Sequence, residues 1–72
     1  MAVVREVRRH GVGGMVLEAL ERIAALRGLR EILVHSQLPS EGFYAHRGYS
    51  RAGEVFLDQG VPHVAMRKLI AT

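Results

Sequence analysis

Residues 8–14 read Arg-Arg-His-Gly-Val-Gly-Gly and stand between a short apolar run, Met1–Val4, and an amphipathic segment that begins at Gly13. Gly11, Gly13 and Gly14 suit neither a strand nor a helix interior, so the chain must turn there. Strand, glycine turn and helix therefore follow in that order. The first N–H groups of a helix lack an intrahelical acceptor, and glycines let an anion approach the backbone closely. Arg8 and Arg9 add positive charge, so the turn describes a phosphate cradle. Two other cradles are excluded by spelling. A dinucleotide fingerprint needs glycine where Val16 stands, and a P-loop needs Gly-Lys-Ser/Thr where Gly14-Met15 stands.

From Gly13 to Leu26, Val16, Leu20, Ile23 and Leu26 or Arg27 recur at spacings of three and four. Glu18, Glu21 and Arg22 take the opposite side, and Leu17, Ala19 and Ala24 widen the stripe. This pattern predicts an amphipathic helix packed on a sheet through that stripe, with Gly28 capping its C-terminus. Glu31–Ser36 is rich in β-formers and predicts a strand parallel to the first. Pro39 and Ser40 open a second, shorter helix, capped by Ser40 and ended by Gly48. Ala52–Leu57 and His63–Leu69 predict a hairpin about Asp58-Gln59-Gly60, with Pro62 near the start of its second strand. The expected architecture is α/β (α+β), order βαβαββ: a mixed sheet with two helices.

Bulk properties narrow the function. Seventy-two residues make one domain at most, and a chain this short buries only about 60% of its unfolded surface. With no cysteine, neither disulfides nor thiolate ligands are available. The apolar fraction of 49% suits a globular chain, and a net charge of +3 suits an anionic ligand without arguing for nucleic acid. No apolar run approaches the roughly 18 residues of a membrane span. Arginines near the N-terminus are followed by no signal-peptide core, so the expected location is cytoplasmic. Histidines 10, 35, 46 and 63 include no i, i+4 pair, so no metal is expected. His46 reads as solvated, and His35 as packed or facing substrate.

A second constellation, Gly-Phe-Tyr-Ala-His-Arg-Gly-Tyr, spans residues 42–49. Phe43 and Tyr49 read as core residues. Tyr44 carries a phenol, which can donate a proton. The turn at residues 8–14 resembles the Arg/Gln-x-x-Gly-x-Gly/Ala loop of the GCN5-related N-acetyltransferases, with Arg8, Gly11 and Gly13 in register. Phe-Tyr-x-x-x-Gly-Tyr is similar to that family's Phe/Leu-Tyr-x-x-x-Gly-Phe signature and follows in the family's order. Leu57–Lys68, with Gly60-Val61-Pro62-His63, is similar to the C-terminal hairpin of one bacterial subgroup.

The resemblance implies a single domain, residues 1–72, corresponding to the C-terminal, cofactor-binding half of that fold. It further implies that Met1, Ala2 and Val3 lie along the pantetheine arm of acetyl-coenzyme A, with an amide at or beside Met1 polarising the acetyl carbonyl. The loop Arg8, Arg9, Gly11, Val12, Gly13 and Gly14 would meet the pyrophosphate, Tyr44 would act as general acid, and Arg47 or Arg9 would meet the ribose phosphate. The family's acceptor half is absent from these residues, and Gln37 replaces its usual asparagine. The implied activity is acetyl transfer from acetyl-coenzyme A to a primary amine by a homodimer or higher oligomer. The alternative is a coenzyme-A-binding or structural remnant without catalysis.

Overall fold

In the central strand, Glu31–Gln37, buried and half-buried residues alternate at every position, the mark of a strand whose two faces meet different surroundings. The computed structural model describes residues 2–5 and 13–70. Its elements are β1 (Ala2–Arg5), α1 (Gly14–Leu26), β2 (Glu31–Gln37), a 3₁₀ turn (Leu38–Ser40), α2 (Glu41–Ala45), β3 (Ser50–Arg51), β4 (Phe56–Asp58) and β5 (Val61–Leu69). β1 pairs with β2 in parallel, from Ala2↔Ile32 to Arg5↔His35. β5 runs antiparallel on the other side of β2, from Glu31↔Leu69 to Gln37↔His63. The far edge of β5 is shared by β3 and β4. The expected mixed sheet with two helices is present.

One face of this sheet holds the core. Ile32 and Val34 of β2 and Val64 and Met66 of β5 meet Leu17 and Ala24 of α1, with Tyr44 and Tyr49. Burying an aliphatic side chain of this size contributes about 1.5–3 kcal/mol. Leu33, His35 and Gln37 lie on the opposite face beside Arg67, Ala65 and His63, and no described helix covers them.

Both helices stop in the same way. At the end of α1, Gly28 takes φ +76°, its N–H donates to Ala25 O at 3.0 Å, and Leu29 N–H donates to Ala24 O at 2.9 Å. After α2, Gly48 takes φ +93°, its N–H donates to Ala45 O, and Tyr49 N–H donates to Tyr44 O, both at 3.1 Å. These are Schellman closures, in which glycine supplies the left-handed residue and the next residue returns to the core. The spelling Tyr44-x-x-x-Gly48-Tyr49 is thus a helix stop whose two tyrosines meet edge to face, 5.9 Å between centroids. Gln59 (φ 53°) and Gly60 (φ 78°) form the two-residue turn between β4 and β5, with the positive φ values that a type I′ hairpin requires.

Four expectations are corrected. The helix faces the sheet through Leu17 and Ala24, while Val16, Ile23 and Leu26 are exposed. Apolar residues occupy more than one side of α1, so spacing alone does not choose the phase. Glu21 turns inward, because Tyr49 and Lys68 reach it. Ser40 makes no side-chain cap, since it already has helical dihedrals at the end of the 3₁₀ turn. Of the strand expected over 52–57 only Phe56 and Leu57 are extended, in β4, and Gly53, whose φ of +127° breaks the run, separates them from β3 at Ser50–Arg51.

Candidate active site

The start of α1 is electropositive and, among the described residues, uncapped by any side chain. Gly13 is extended (φ −68°, ψ 157°), no side chain caps the helix, and its first turn contains no acidic residue. Leu17 N–H makes the first intrahelical bond, to Gly13 O at 2.9 Å. The Arg47 guanidinium lies against Gly14, where a Cβ would collide with it. Stacking over the Phe43 ring, 4.3 Å from its centroid, holds the guanidinium there. A cation at the positive end of a helix dipole is balanced by an anion, so these residues fit a phosphate group. Gly13 and Gly14 are the N-cap and the first residue of this helix. Ala2 and Val3 lie on β1, opposite Ile32 and Leu33. Met1, Arg8, Arg9, Gly11 and Val12 lie outside the described residues.

Tyr44 is wholly buried in the core cluster, edge to face with Phe43 (5.1 Å) and with Tyr49. Tyr49 has a different partner: its hydroxyl donates to Glu21 Oε2 at 2.8 Å, while Lys68 Nζ donates to Glu21 Oε1 at 3.1 Å. Burial, and then the hydrogen bond to Glu21, push the Tyr49 phenol well above the usual tyrosine range. Tyr49 is therefore a structural tie between α1 and the end of α2. Nothing local in the sequence marks Glu21 for this role, since its partners lie 28 and 47 residues away.

On the uncovered face, Phe56 stands between two imidazoles. His35 meets it edge on at 5.3 Å and His63 stacks on it at 5.9 Å. His63 is buried, and its Nδ1–H donates to Val61 O at 2.7 Å, which fixes its tautomer. His35, Phe56, Leu57 and Asp58 line an open cavity of about 330 Å³. Asp58 was expected only as a turn residue. Register reveals it, because Asp58 and Phe56 share a face of β4. His46 is exposed, as expected. Among the described residues no three metal-binding side chains gather, and no helix is long and apolar enough to cross a membrane.

Comparison with known proteins decides the family. The sequence model of the acetyltransferase (GNAT) domain matches residues 1–70. The chain belongs to the GNAT acetyltransferase family. It is similar to YjcF of Bacillus subtilis, described as an uncharacterized N-acetyltransferase, with 38% identity over 69 residues, 94% of this chain and 49% of the relative. A second Bacillus subtilis protein described as an acetyltransferase is 37% identical over 68 residues, 94% of this chain and 46% of the relative. Among solved structures, a Lactobacillus plantarum protein described as an N-acetyltransferase superposes with TM-score 0.78 at 33% identity, covering 89% of this chain and 44% of that one. An acyl-CoA N-acyltransferase of Pseudomonas aeruginosa superposes with TM-score 0.73 at 26% identity, covering 85% and 42%. The GNAT chain described here thus spans about half the length of the curated relatives it matches.

Proposed function

We propose that these residues are the C-terminal, cofactor-binding half of a cytoplasmic N-acetyltransferase that moves acetyl from acetyl-coenzyme A to a primary amine. One observation carries this reading: α1 opens on glycine with no capping side chain, beside the Arg47 guanidinium, in a chain matched along its length by an acetyltransferase domain. Acetyl-coenzyme A supplies the activated thioester. The residues that would hold it are Ala2 and Val3 beside the pantetheine arm, Gly13 and Gly14 with Arg47 at the phosphates, and, from the sequence, Met1, Arg8, Arg9, Gly11 and Val12. Backbone N–H groups there orient the phosphates without side-chain entropy cost. Tyr44 would give its phenolic proton to the departing sulfur. A second copy of the chain would cover the apolar residues that one copy leaves exposed.

A second reading, cofactor binding without transfer, is favoured by the complete burial of Tyr44 in the core. Calorimetric titration with coenzyme A and acetyl-coenzyme A at two salt concentrations tests the first part. Micromolar binding that weakens with salt is expected, and no binding would refute the proposal. Acetyl transfer to a generic amine then separates the two readings.

A further inference from the structure

Both helices lie on one face of the sheet, and Tyr44 belongs to that side's core. His35 lies on the other face of β2 and pairs with Arg5, the last described residue of β1. β2 runs two residues further, to Gln37. Around His35, Phe56, Leu57 and Asp58 complete the open cavity of about 330 Å³. Its lining combines a carboxylate, an aromatic ring and an imidazole.

We propose that this cavity receives the acceptor, a primary amine on an aromatic or apolar body, and that His35 takes the proton which the amine sheds; the proposal rests on the acetyl-transfer reading above. An amine arrives at neutral pH as an ammonium ion. The Asp58 carboxylate attracts that charge and the Phe56 ring offers a face for either the cation or its apolar body. Phe56 is held in place between His35 and His63. The buried His63 is committed through Nδ1 to Val61 O, so it positions the ring, whereas His35 is the imidazole that lines the cavity. Imidazole is the commonest proton acceptor in general base catalysis.

The step balances. The amine lone pair forms the C–N bond to the acetyl carbon, and the C–S bond breaks with its electron pair on sulfur. His35 first takes one proton from the ammonium, which frees that lone pair; the nitrogen's second proton is released as the amide forms and offsets the one that sulfur takes from Tyr44 or water. The products are an N-substituted acetamide and a free thiol.

The test titrates the isotope-labelled chain with phenethylamine, using 2-phenylethanol as an uncharged control, and follows His35 and Phe56 by nuclear magnetic resonance. Phenethylamine is expected to move both signals, while Asp58→Asn weakens its binding about tenfold and 2-phenylethanol binds no better to wild type than to that variant. With acetyl-coenzyme A added, His35→Gln is expected to lower acetylation of phenethylamine about a hundredfold at saturating amine. Signal changes confined to other residues, equal amine affinity in Asp58→Asn and wild type, or undiminished turnover in His35→Gln would overturn the proposal. Coenzyme A binding without any response to phenethylamine would sink the cavity assignment and leave the cofactor reading standing. An amine response at His35 without coenzyme A binding would do the reverse, and would remove His35 from any transfer step. Both ligands bound without turnover in wild type would also overturn the His35 role.

Discussion

Tyr44 and Tyr49 are five residues apart and touch, yet their hydroxyls have different fates. Tyr49 is tied to Glu21, so its phenol stays protonated where an ordinary tyrosine ionises. The folded chain then binds this proton more tightly than the unfolded chain. The associated stability is complete below the unfolded pKa of about 10 and falls as pH rises beyond it. Denaturation midpoints measured against pH should drop above about pH 10, and Tyr49→Phe should make that limb shallower. Glu21→Ala leaves the Tyr49 hydroxyl and the Lys68 ammonium without their acceptor in a part-buried site. It should cost about 1–3 kcal/mol in urea denaturation. Tyr44→Phe keeps the edge-to-face packing and removes only the hydroxyl. It should lower acetyl transfer at neutral pH by about a hundredfold while sparing coenzyme A affinity; unchanged turnover would remove Tyr44 from the chemistry.

At the scale of elements, glycine decides where helices end. Gly28 and Gly48 both close Schellman motifs at positive φ. A Cβ at Gly28 would meet nothing nearby, and at Gly48 only the Lys68 side chain at ordinary contact distance. The penalty for Gly28→Ala or Gly48→Ala is therefore backbone strain, about 1–2 kcal/mol each, read as a lower thermal midpoint. These stops were legible because they are local: Gly28 follows the last apolar turn, and Gly48 sits in the second motif. The hairpin turn about Asp58-Gln59-Gly60 was legible for the same reason. The phase of α1 was not, because Val16, Leu20 and Ile23 form as good a stripe as Leu17, Leu20 and Ala24. Only the sheet it packs on chooses between them. The inward turn of Glu21 likewise depends on Tyr49 and Lys68, far along the chain. Of the glycine turn only Gly13 and Gly14 lie among the described residues, and Arg47 stood in the sequence only as one of two arginines offered to a phosphate. Its place against Gly14 comes from the Phe43 ring beneath it. The cavity of His35 and Asp58 joins β2 to the β4–β5 hairpin, a pairing that local pattern does not specify.

At the scale of the whole molecule, the corrected phase of α1 has a further effect. Turning Leu17 and Ala24 inward leaves Met15 at 86% and Leu26 at 83% exposure, with Val16 and Ile23 about half exposed. Val16, Ile23 and Leu26 recur along one side of the helix at spacings of seven and three, so they form a stripe and not scattered contacts. A chain of 72 residues gains little net stability from its own core, and an apolar stripe in water favours association. We therefore expect light scattering at micromolar concentration to give at least a dimer mass. Ile23→Glu combined with Leu26→Lys places charge on the stripe without touching Leu17 or Ala24. The pair should shift the mass toward monomer and leave the helical circular dichroism signal intact, with an intrinsic change in fold stability of about 0.5 kcal/mol or less per site. A sharp monomer mass for the wild type would refute self-association. A wild-type oligomer that survives both charges would move the interface off α1, to the edge where Val3 is exposed.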